Sequence, residues 1–187
     1  TPIPERFEKQ TAMGWHTMLD LVAAALDGNF PTRPALMQKN AALLQRVEQR
    51  FGVPKELVVA IWTMETDNGA DTGKLPVVRT LATLAHDCRR TDLFQKELLA
   101  ALQIVQRGDL PFKELVGAYA GEIGQTQFLP SSYIKYGVDF DGNGHVDLRH
   151  SVPDVLASTA NLLHVSGFKG GAPYGEGPWY DLDEDGV

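Results

Sequence analysis

The stretch Tyr119-Ala-Gly-Glu-Ile-Gly-Gln-Thr-Gln-Phe-Leu-Pro-Ser-Ser-Tyr133 decides how this sequence is interpreted. Its glycines among polar residues predict an irregular backbone, and glycine also lets a backbone approach a ligand closely. Pro130 stands near the end of the stretch, and proline is tolerated in the first turn of a helix. We therefore predict an irregular segment over about residues 117–130 and a short helix over about residues 130–136.

Outward from this stretch the sequence is predominantly helical. Apolar residues recur at helical spacing over about residues 5–27, 34–50, 54–66, 78–87, 91–107 and 152–166. No segment of useful length alternates apolar and polar residues, so no strand is predicted. We predict one mainly α domain over residues 1–170, with the helices of residues 1–35 packed on it. An acidic tail rich in glycine and proline follows over residues 171–187.

The composition excludes several classes of protein. The 187 residues are 43% hydrophobic and 22% charged, with a net charge of −7, which is ordinary for one globular domain. The longest basic run is Arg89-Arg90, so nucleic acid is not an expected partner. The apolar run from Leu21 to Leu26 is far shorter than the roughly 20 residues of a membrane-spanning helix. Cys88 is the only cysteine and is interpreted as a core or surface residue rather than a nucleophile.

Glu65 shares a helical face with core-type residues. Leu57, Ile61 and Glu65 are spaced four residues apart in the predicted helix over residues 54–66. Partial burial would raise the pKa of the Glu65 carboxyl, which suits a general acid that works near neutral pH. The alternative is that Glu65 lies past the core and points to solvent, and periodicity alone does not separate the two. Trp62, in the same helix, is interpreted as a core residue rather than a sugar platform.

Two local sequences resemble a known family. Met64-Glu65-Thr66-Asp67-Asn68-Gly69, followed by Thr72-Gly73, resembles the segment around the acid of lysozyme-like glycosidases. The stretch over residues 119–133 closely resembles the AGAMGxxQFxPSSY motif of the membrane-bound lytic murein transglycosylase B family. The resemblance covers about residues 36–169 and includes the acidic loop that follows the second motif. It implies a lysozyme-like helical domain with Glu65 as the catalytic acid.

The resemblance also implies a reaction without water. Members of the family cut the β-1,4 bond between N-acetylmuramic acid and N-acetylglucosamine in peptidoglycan and leave a 1,6-anhydromuramoyl end. Ordinary glycosidases need two carboxylates, whereas a single one is implied here. Glu65 would protonate the glycosidic oxygen while the acetamido group of the substrate stabilises the cationic centre. Glu65 would then take the proton of the C6 hydroxyl as that oxygen attacks the anomeric carbon. No organic cofactor is implied.

Four residues of the second motif are implied sugar contacts. Gln127 offers a donor and an acceptor, and Phe128 offers a face for a pyranose ring. Gly124 would let the backbone approach the sugar, and Tyr133 would line the cleft. The alternatives are that Gln127 only ties the glycine turn together, and that Tyr133 and Tyr136 belong to the core.

Four positions depart from the pattern of the family. Ala118 replaces a serine, Asn68 an aromatic residue, and Leu162 a cleft tyrosine, so that sugar contacts or hydrogen bonds are removed. Glu122 stands where a small residue is common, and is either a second carboxylate in the cleft or, in our interpretation, a solvated loop residue. Two alternative functions therefore stay open: a non-catalytic peptidoglycan-binding module and a hydrolytic muramidase.

Residues 139–147 resemble the start of an EF-hand loop, with oxygen ligands at positions 1, 3 and 5 and glycine at position 6. The twelfth position is His150, and the family resemblance implies that a later aspartate closes the loop. The candidate ligands of a structural Ca²⁺ are Asp139, Asp141, Asn143, His145 through its carbonyl, and Asp154. Asp147 is a competing ligand, and the alternative is a turn without an ion.

The implied partner is the glycan strand of peptidoglycan, and the implied location is the periplasm or cell envelope of a bacterium. Residues 1–15 lack the basic start and apolar stretch of a signal peptide. The chain begins at Thr1, so we expect a mature or trimmed form. A missing N-terminal segment would then provide the association with the envelope.

Overall fold

A computed structural model describes residues 34–87 and 89–168. This part of the chain forms seven α-helices, and the mainly α fold is confirmed. The helices are α1 (Pro34–Lys39), α2 (Ala41–Phe51), α3 (Lys55–Thr66), α4 (Val77–His86), α5 (Thr91–Arg107), α6 (Pro130–Tyr136) and α7 (Val152–Val165). Four sequence predictions concern residues that the structure does not describe: the helix over residues 5–27, the packing of residues 1–35 (of which only 34 and 35 are described), the tail over residues 171–187, and Cys88.

The helix ends follow from local residue chemistry. Gly52 after α2 and Gly108 after α5 have φ values of 68° and 78°, a region where a side chain would be strained. One boundary was wrong, because the single helix predicted over residues 34–50 is interrupted at Asn40. The Leu36 carbonyl accepts both the Asn40 backbone amide at 3.1 Å and the Asn40 side-chain amide at 3.0 Å, a local side-chain bond that is typical of asparagine at a break between helices.

A small sheet holds the loop after α3 against the irregular segment. Strand β1 (Leu75–Pro76) pairs antiparallel with β2 (Val116–Gly117). Strands of two residues are too short to show alternation, so the sequence did not predict them. A Cβ atom at Gly73 would lie 2.2 Å from the Gly117 carbonyl oxygen, so glycine is required for this approach. The pairing brings the region after Glu65 close to the second sequence motif.

The core lies between the helices and the irregular segment. Helix α2 packs on α7, and α5 packs on both α4 and α6. Trp62 of α3 is 3% exposed, which confirms its interpretation as a core residue. None of the helices in residues 34–87 and 89–168 is both long and apolar enough to cross a membrane.

The start of α6 is fixed by a buried carboxylate from another helix. Glu97 of α5 accepts hydrogen bonds from the Ser131 backbone amide at 2.9 Å and from the Ser131 hydroxyl at 2.7 Å. A carboxylate at this position satisfies a free amide of the first turn and the positive end of the helix dipole. The irregular segment is thus anchored by α6 at one end and by β2 at the other.

Candidate active site

Glu65 is the penultimate residue of α3, where the helix passes from the core to the surface. Leu57 is 2% exposed, Ile61 is half-buried and the Glu65 side chain is exposed. Partial burial of its carboxyl nevertheless raises the pKa of Glu65, and the negative charge of Glu122 raises it further. The two alternatives drawn from the sequence therefore both hold in part, because an exposed side chain carries a partly desolvated carboxyl.

The carboxyl of Glu65 receives no compensation for its charge from the part of the protein that the structure describes. Within the described residues, no protein group donates a hydrogen bond to it. Glu65 also lies at the C-terminal end of α3, where the partial negative charge of the helix disfavours a carboxylate. The environment therefore favours the protonated form, which is the form that can act as an acid.

The backbone turns sharply after α3 and leaves Glu65 at the surface. Asp67, Asn68 and Gly69 have consecutive positive φ values of 51°, 61° and 87°. Asp and Asn tolerate this left-handed region better than most side chains. The Asp67 and Asn68 amides donate to the Thr63 and Trp62 carbonyls at 2.9 and 3.2 Å, which satisfies the helix end. This geometry gives a physical reason for asparagine at position 68 in place of an aromatic residue.

Gln125 joins the end of α3 to the second motif. Its side-chain oxygen accepts a hydrogen bond from Trp62 Nε1 at 2.7 Å, and its backbone carbonyl accepts one from Thr66 Oγ1 at 2.6 Å. The residues three before and one after Glu65 therefore contact the same glutamine. A Cβ atom at Gly69 would lie 2.6 Å from Gln125 Oε1, which explains the glycine at that position.

Gln125 also contacts the chain that leaves the acidic loop. Its backbone amide donates to the Leu148 carbonyl and its Nε2 donates to the Arg149 carbonyl, both at 2.8 Å. Gln125 was not predicted from the sequence, because a residue in an irregular segment has no periodicity to mark it. A buried glutamine facing a buried tryptophan becomes recognisable only when the fold brings residues 62 and 125 together.

The negative charge of Glu122 is the second cause, after burial, of the raised pKa of Glu65. The Glu122 side chain is half-buried, and its Oε2 accepts a hydrogen bond from the Ala120 amide at 2.9 Å. The Ala118 amide donates to the Glu122 carbonyl at 3.0 Å and closes the turn. Glu122 is thus a half-buried loop residue whose charge also influences Glu65, so that both alternatives drawn from the sequence hold in part.

Three of the four predicted sugar contacts of the second motif need correction. Phe128 is 4% exposed and has no free face for a pyranose ring. Tyr133 is 1% exposed, and its hydroxyl donates to the Val146 carbonyl at 2.6 Å. Burial raises the pKa of the Tyr133 hydroxyl well above its usual value. Gly124 is buried, and a Cβ atom there would lie 2.4 Å from the Leu148 carbonyl oxygen, so its glycine serves packing.

The fourth residue, Gln127, ties its own turn together. Its φ is 53°, and its Nε2 donates to the Gly124 carbonyl at 2.8 Å. The side chain is only half-buried, so its oxygen and second amide hydrogen stay candidates for a sugar contact.

Tyr119 was not singled out in the sequence and is 77% exposed at the start of the same motif. An exposed aromatic ring here is a candidate platform for a sugar. Leu162, at the position of the cleft tyrosine, is half-buried and packs against the core.

The acidic loop brings three of its predicted ligands together. Asp139, Asp141 and Asp154 each place a carboxylate oxygen within 4.8 Å of the others. This all-oxygen donor set fits Ca²⁺ better than a transition metal. Asp147 is instead bonded to the His150 amide at 2.9 Å and the His150 ring at 3.0 Å, so the geometry favours Asp154 as the closing residue.

The backbone of the loop is organised around its carboxylates. Asp139 accepts hydrogen bonds from the Gly142 and Gly144 amides at 2.7 and 2.8 Å, and these bonds lower its pKa. Asp154 is 0% exposed, and its burial raises its pKa against the opposing effect of backbone hydrogen bonds. The Asn143 side chain accepts a hydrogen bond from the His145 amide at 2.9 Å, so that both residues belong to the same turn of the loop.

The helical fold, with Glu65 at the end of α3, is that of a lysozyme-like domain. Residues 27–178 match the family described as the transglycosylase SLT domain, and the chain belongs to that family. It is 39% identical to the membrane-bound lytic murein transglycosylase B of Escherichia coli K12 over 126 residues. That alignment covers 67% of this chain and 35% of the relative.

Solved structures with similar folds come from the same group of enzymes. SltB3 from Pseudomonas aeruginosa, solved in complex with NAG-NAM-pentapeptide, has a TM-score of 0.73 and 41% identity over 85% of this chain and 42% of SltB3. The lytic transglycosylase Slt35 of Escherichia coli, solved in complex with calcium, has a TM-score of 0.69 and 32% identity over 84% of this chain and 50% of Slt35. The chain thus spans half or less of the length of these relatives.

Proposed function

We propose that this protein is a lytic transglycosylase that cleaves the β-1,4 bond between N-acetylmuramic acid and N-acetylglucosamine in peptidoglycan. The observation that carries this proposal is the position of Glu65, whose partly buried carboxyl has a raised pKa at the end of α3. A carboxyl with a raised pKa keeps its proton to higher pH and can donate it to a glycosidic oxygen. Membership of the transglycosylase SLT domain family supports the same reaction.

The proposed reaction uses Glu65 twice. Protonation of the glycosidic oxygen breaks its bond to the anomeric carbon, and the acetamido oxygen of the substrate stabilises the cationic centre. The Glu65 carboxylate then accepts the proton of the C6 hydroxyl as that oxygen bonds to the anomeric carbon. The product is a 1,6-anhydro ring, and no water is consumed. The absence of hydrogen bonds to Glu65 from the described protein groups suits a group that must both give and take a proton.

The proposed substrate is a peptidoglycan glycan strand. SltB3 was solved with NAG-NAM-pentapeptide and with NAG-anhNAM-pentapeptide, and the second ligand carries the anhydro product group. In this chain we assign sugar contacts to the exposed Tyr119 and to the free oxygen of Gln127. We place the protein in the periplasm or cell envelope, since peptidoglycan lies there and the Escherichia coli relative is named as membrane-bound.

A hydrolytic muramidase is the second candidate, and Glu122 is the observation that favours it. Glycosidases that use water need two carboxylates, one as the acid and one to activate water or attack the sugar. Glu122 is a second carboxylate whose charge acts on Glu65. Hydrolysis would leave a reducing end instead of an anhydro end, so the products separate the two candidates.

We also propose that the acidic loop binds a structural Ca²⁺. Asp139, Asp141 and Asp154 would supply carboxylate oxygens, with the Asn143 side chain and the His145 carbonyl as further ligands. The calcium complex of Slt35 supports this choice of ion. When bound, the ion would offset the repulsion among the three carboxylates and stabilise the connection between α6 and α7.

The test is digestion of purified peptidoglycan sacculi by the wild type and by Glu65→Gln, with the soluble products identified by mass spectrometry. Anhydromuropeptides from the wild type, with none from Glu65→Gln, are the expected result. Glu56→Gln on the first turn of the same helix is the control and should stay active. Reducing-end products would assign a muramidase. Protein that binds sacculi and releases nothing would assign a non-catalytic binding module and overturn the proposal.

A further inference from the structure

We infer that Gln125 is a positioning residue that holds the end of α3, and with it the carboxyl of Glu65, in the orientation needed for proton transfer. The inference rests on the proposed function, because it assigns Gln125 a role in the same reaction. Gln125 contacts neither the substrate nor the reacting atoms in this assignment. It acts through the helix end that carries the acid.

The geometry around Glu65 carries the inference. Gln125 contacts α3 on both sides of the acid, through Trp62 Nε1 at 2.7 Å and through Thr66 Oγ1 at 2.6 Å. Thr66 Oγ1 in turn accepts a hydrogen bond from the Gly69 amide at 2.9 Å, which fixes the turn that follows. The last turn of α3 is therefore held at two points, by the buried side chain of Gln125 and by the backbone carbonyl of Gln125.

Gln125 has a rigid support on its other side. Gln125 accepts the two bonds from α3, and its own donors, the backbone amide and Nε2, donate to the Leu148 and Arg149 carbonyls at 2.8 Å each. The side chain is 8% exposed, so these bonds are sheltered from competing water. Leu148 is itself 0% exposed in the core. Movement of α3 relative to the core would thus break several bonds of one residue together.

The hydrogen bonds of Gln125 fix the helix end that carries Glu65, whose own carboxyl is not fixed by hydrogen bonds from the described residues. The carboxyl of Glu65 has no hydrogen bond from a described protein group that would fix its direction. Its orientation must therefore come from the backbone that carries it, and Gln125 is bonded to that backbone segment through Thr66. A displacement of about 1 Å from productive geometry can cost roughly 100-fold in rate.

The test compares Gln125→Met with Thr159→Val in the whole chain. Methionine keeps the length of the side chain and removes its hydrogen bonds. Thr159 is the matched control, because it is 1% exposed and its hydroxyl is hydrogen-bonded to Thr126 Oγ1 at 3.0 Å, next to Gln125, and to the Val155 carbonyl at 2.7 Å rather than to α3. Thr66→Val is a milder second variant that removes the bond to the Gln125 carbonyl and retains the helix residue's shape.

Two readouts are needed: sacculus cleavage as a function of sacculus concentration, and the pKa of Glu65 from an NMR titration of its side-chain carboxyl. We expect Gln125→Met to lower the saturating rate per folded molecule roughly 10- to 100-fold while the half-saturating concentration stays within about two-fold. The pKa of Glu65 should fall toward its ordinary value, because a released helix end lets water reach the carboxyl. Thr66→Val should also lower the saturating rate and the pKa of Glu65. Thr159→Val should change neither the rate nor the pKa.

The inference is overturned if Gln125→Met loses rate only in proportion to its loss of folded protein, as Thr159→Val would, and leaves the pKa of Glu65 unchanged. A wild type that releases no product from sacculi would instead overturn the proposed function. In that case the NMR titration still decides whether Gln125 controls the environment of Glu65. The two failures are therefore distinguishable.

Discussion

The end of α3 and the acidic loop over residues 139–154 use carboxylates in opposite ways. Glu65 accepts no hydrogen bond from the described protein groups, and burial raises its pKa. Asp139 accepts backbone hydrogen bonds from Gly142, Asn143 and Gly144, and these lower its pKa. The same functional group is thus deprived of donors at one place and surrounded by them at the other.

This difference shows how a fold assigns a role to a carboxylate. Backbone amides that point at a carboxylate stabilise its charge, so that it can shape a loop or hold a cation. A carboxyl without such amides, near a second negative charge, keeps its proton at higher pH and can donate it. The backbone around each group decides the outcome: three residues with positive φ turn the chain away after Glu65, whereas the loop wraps around Asp139.

Removing a carboxylate from the loop should have the largest effect on stability. Asp154 is 0% exposed and accepts hydrogen bonds from the Phe140, Asp141 and Asp147 amides. Asp154→Ala leaves these amides without a partner, so we expect the free energy of unfolding to fall by roughly 3 kcal/mol or more in urea titrations.

Asp92→Ala is the control for this variant, since Asp92 also lies in the first turn of a helix but is exposed. The comparison between them removes the contribution of the helix dipole. Equal losses in the two variants would show that the loop amides do not depend on Asp154.

Shortening the acid should instead affect turnover and leave stability unchanged. Glu65→Asp withdraws the carboxyl by one methylene, and we expect a loss of roughly 100-fold in the rate of sacculus digestion. The melting temperature should not fall, because no described protein group donates to this carboxyl. Glu56→Asp, on the first turn of α3, is the control. Activity of Glu65→Asp within a few-fold of the wild type would contradict the role of Glu65 as the acid.

Calcium should act on the loop and not on the acid. An ion that binds only the folded protein stabilises it by about 2.7 kcal/mol at 100 times its Kd. We expect calorimetry to show a higher melting temperature with Ca²⁺ than with EGTA, and a smaller shift for Asp141→Asn, which removes an exposed ligand charge. Turnover well below the melting temperature should be the same with and without the ion. An unchanged melting temperature in the wild type would argue against the site.

The fold was more predictable than the contacts of the motifs. Helical periodicity and glycine terminators located the helices, because both are local properties of the sequence. The strands over residues 75–76 and 116–117 have no such signal, since their pairing depends on a long-range approach at Gly73 and Gly117.

The family resemblance of the motif over residues 119–133 identified the family but did not predict what each side chain of the motif contacts. Phe128, Tyr133 and Gly124 were predicted to contact the sugar, and the structure buries all three. A motif can be specific because it packs in only one way, and burial is not visible in a sequence. Gln125 was not predicted because its contacts are long-range: its side-chain partners lie 63 residues before it and 24 residues after it in the chain.

The smallest expected effect is a change in the pKa of Glu65 when the charge of Glu122 is removed. The charge of Glu122 is the second cause of the raised pKa of Glu65, after burial. Glu122→Gln keeps the side chain's shape and its ability to accept the Ala120 amide, but removes the charge. The pKa of Glu65 should therefore fall, and the alkaline limb of the pH–rate profile should move to lower pH, because protonated Glu65 is the reactive form. Glu114→Gln is the control.

The stability profile of Glu122→Gln gives an independent check on the sign. A carboxyl whose pKa is higher in the folded than in the unfolded state costs stability as the pH rises from the ordinary value through the raised one. Removing the Glu122 charge brings the raised pKa of Glu65 closer to its ordinary value. The free energy of unfolding should therefore fall less across this pH range than in the wild type. Unchanged pH profiles of rate and stability would mean that burial alone sets the pKa of Glu65. A loss of reducing-end products in the variant would instead give Glu122 a direct part in hydrolysis.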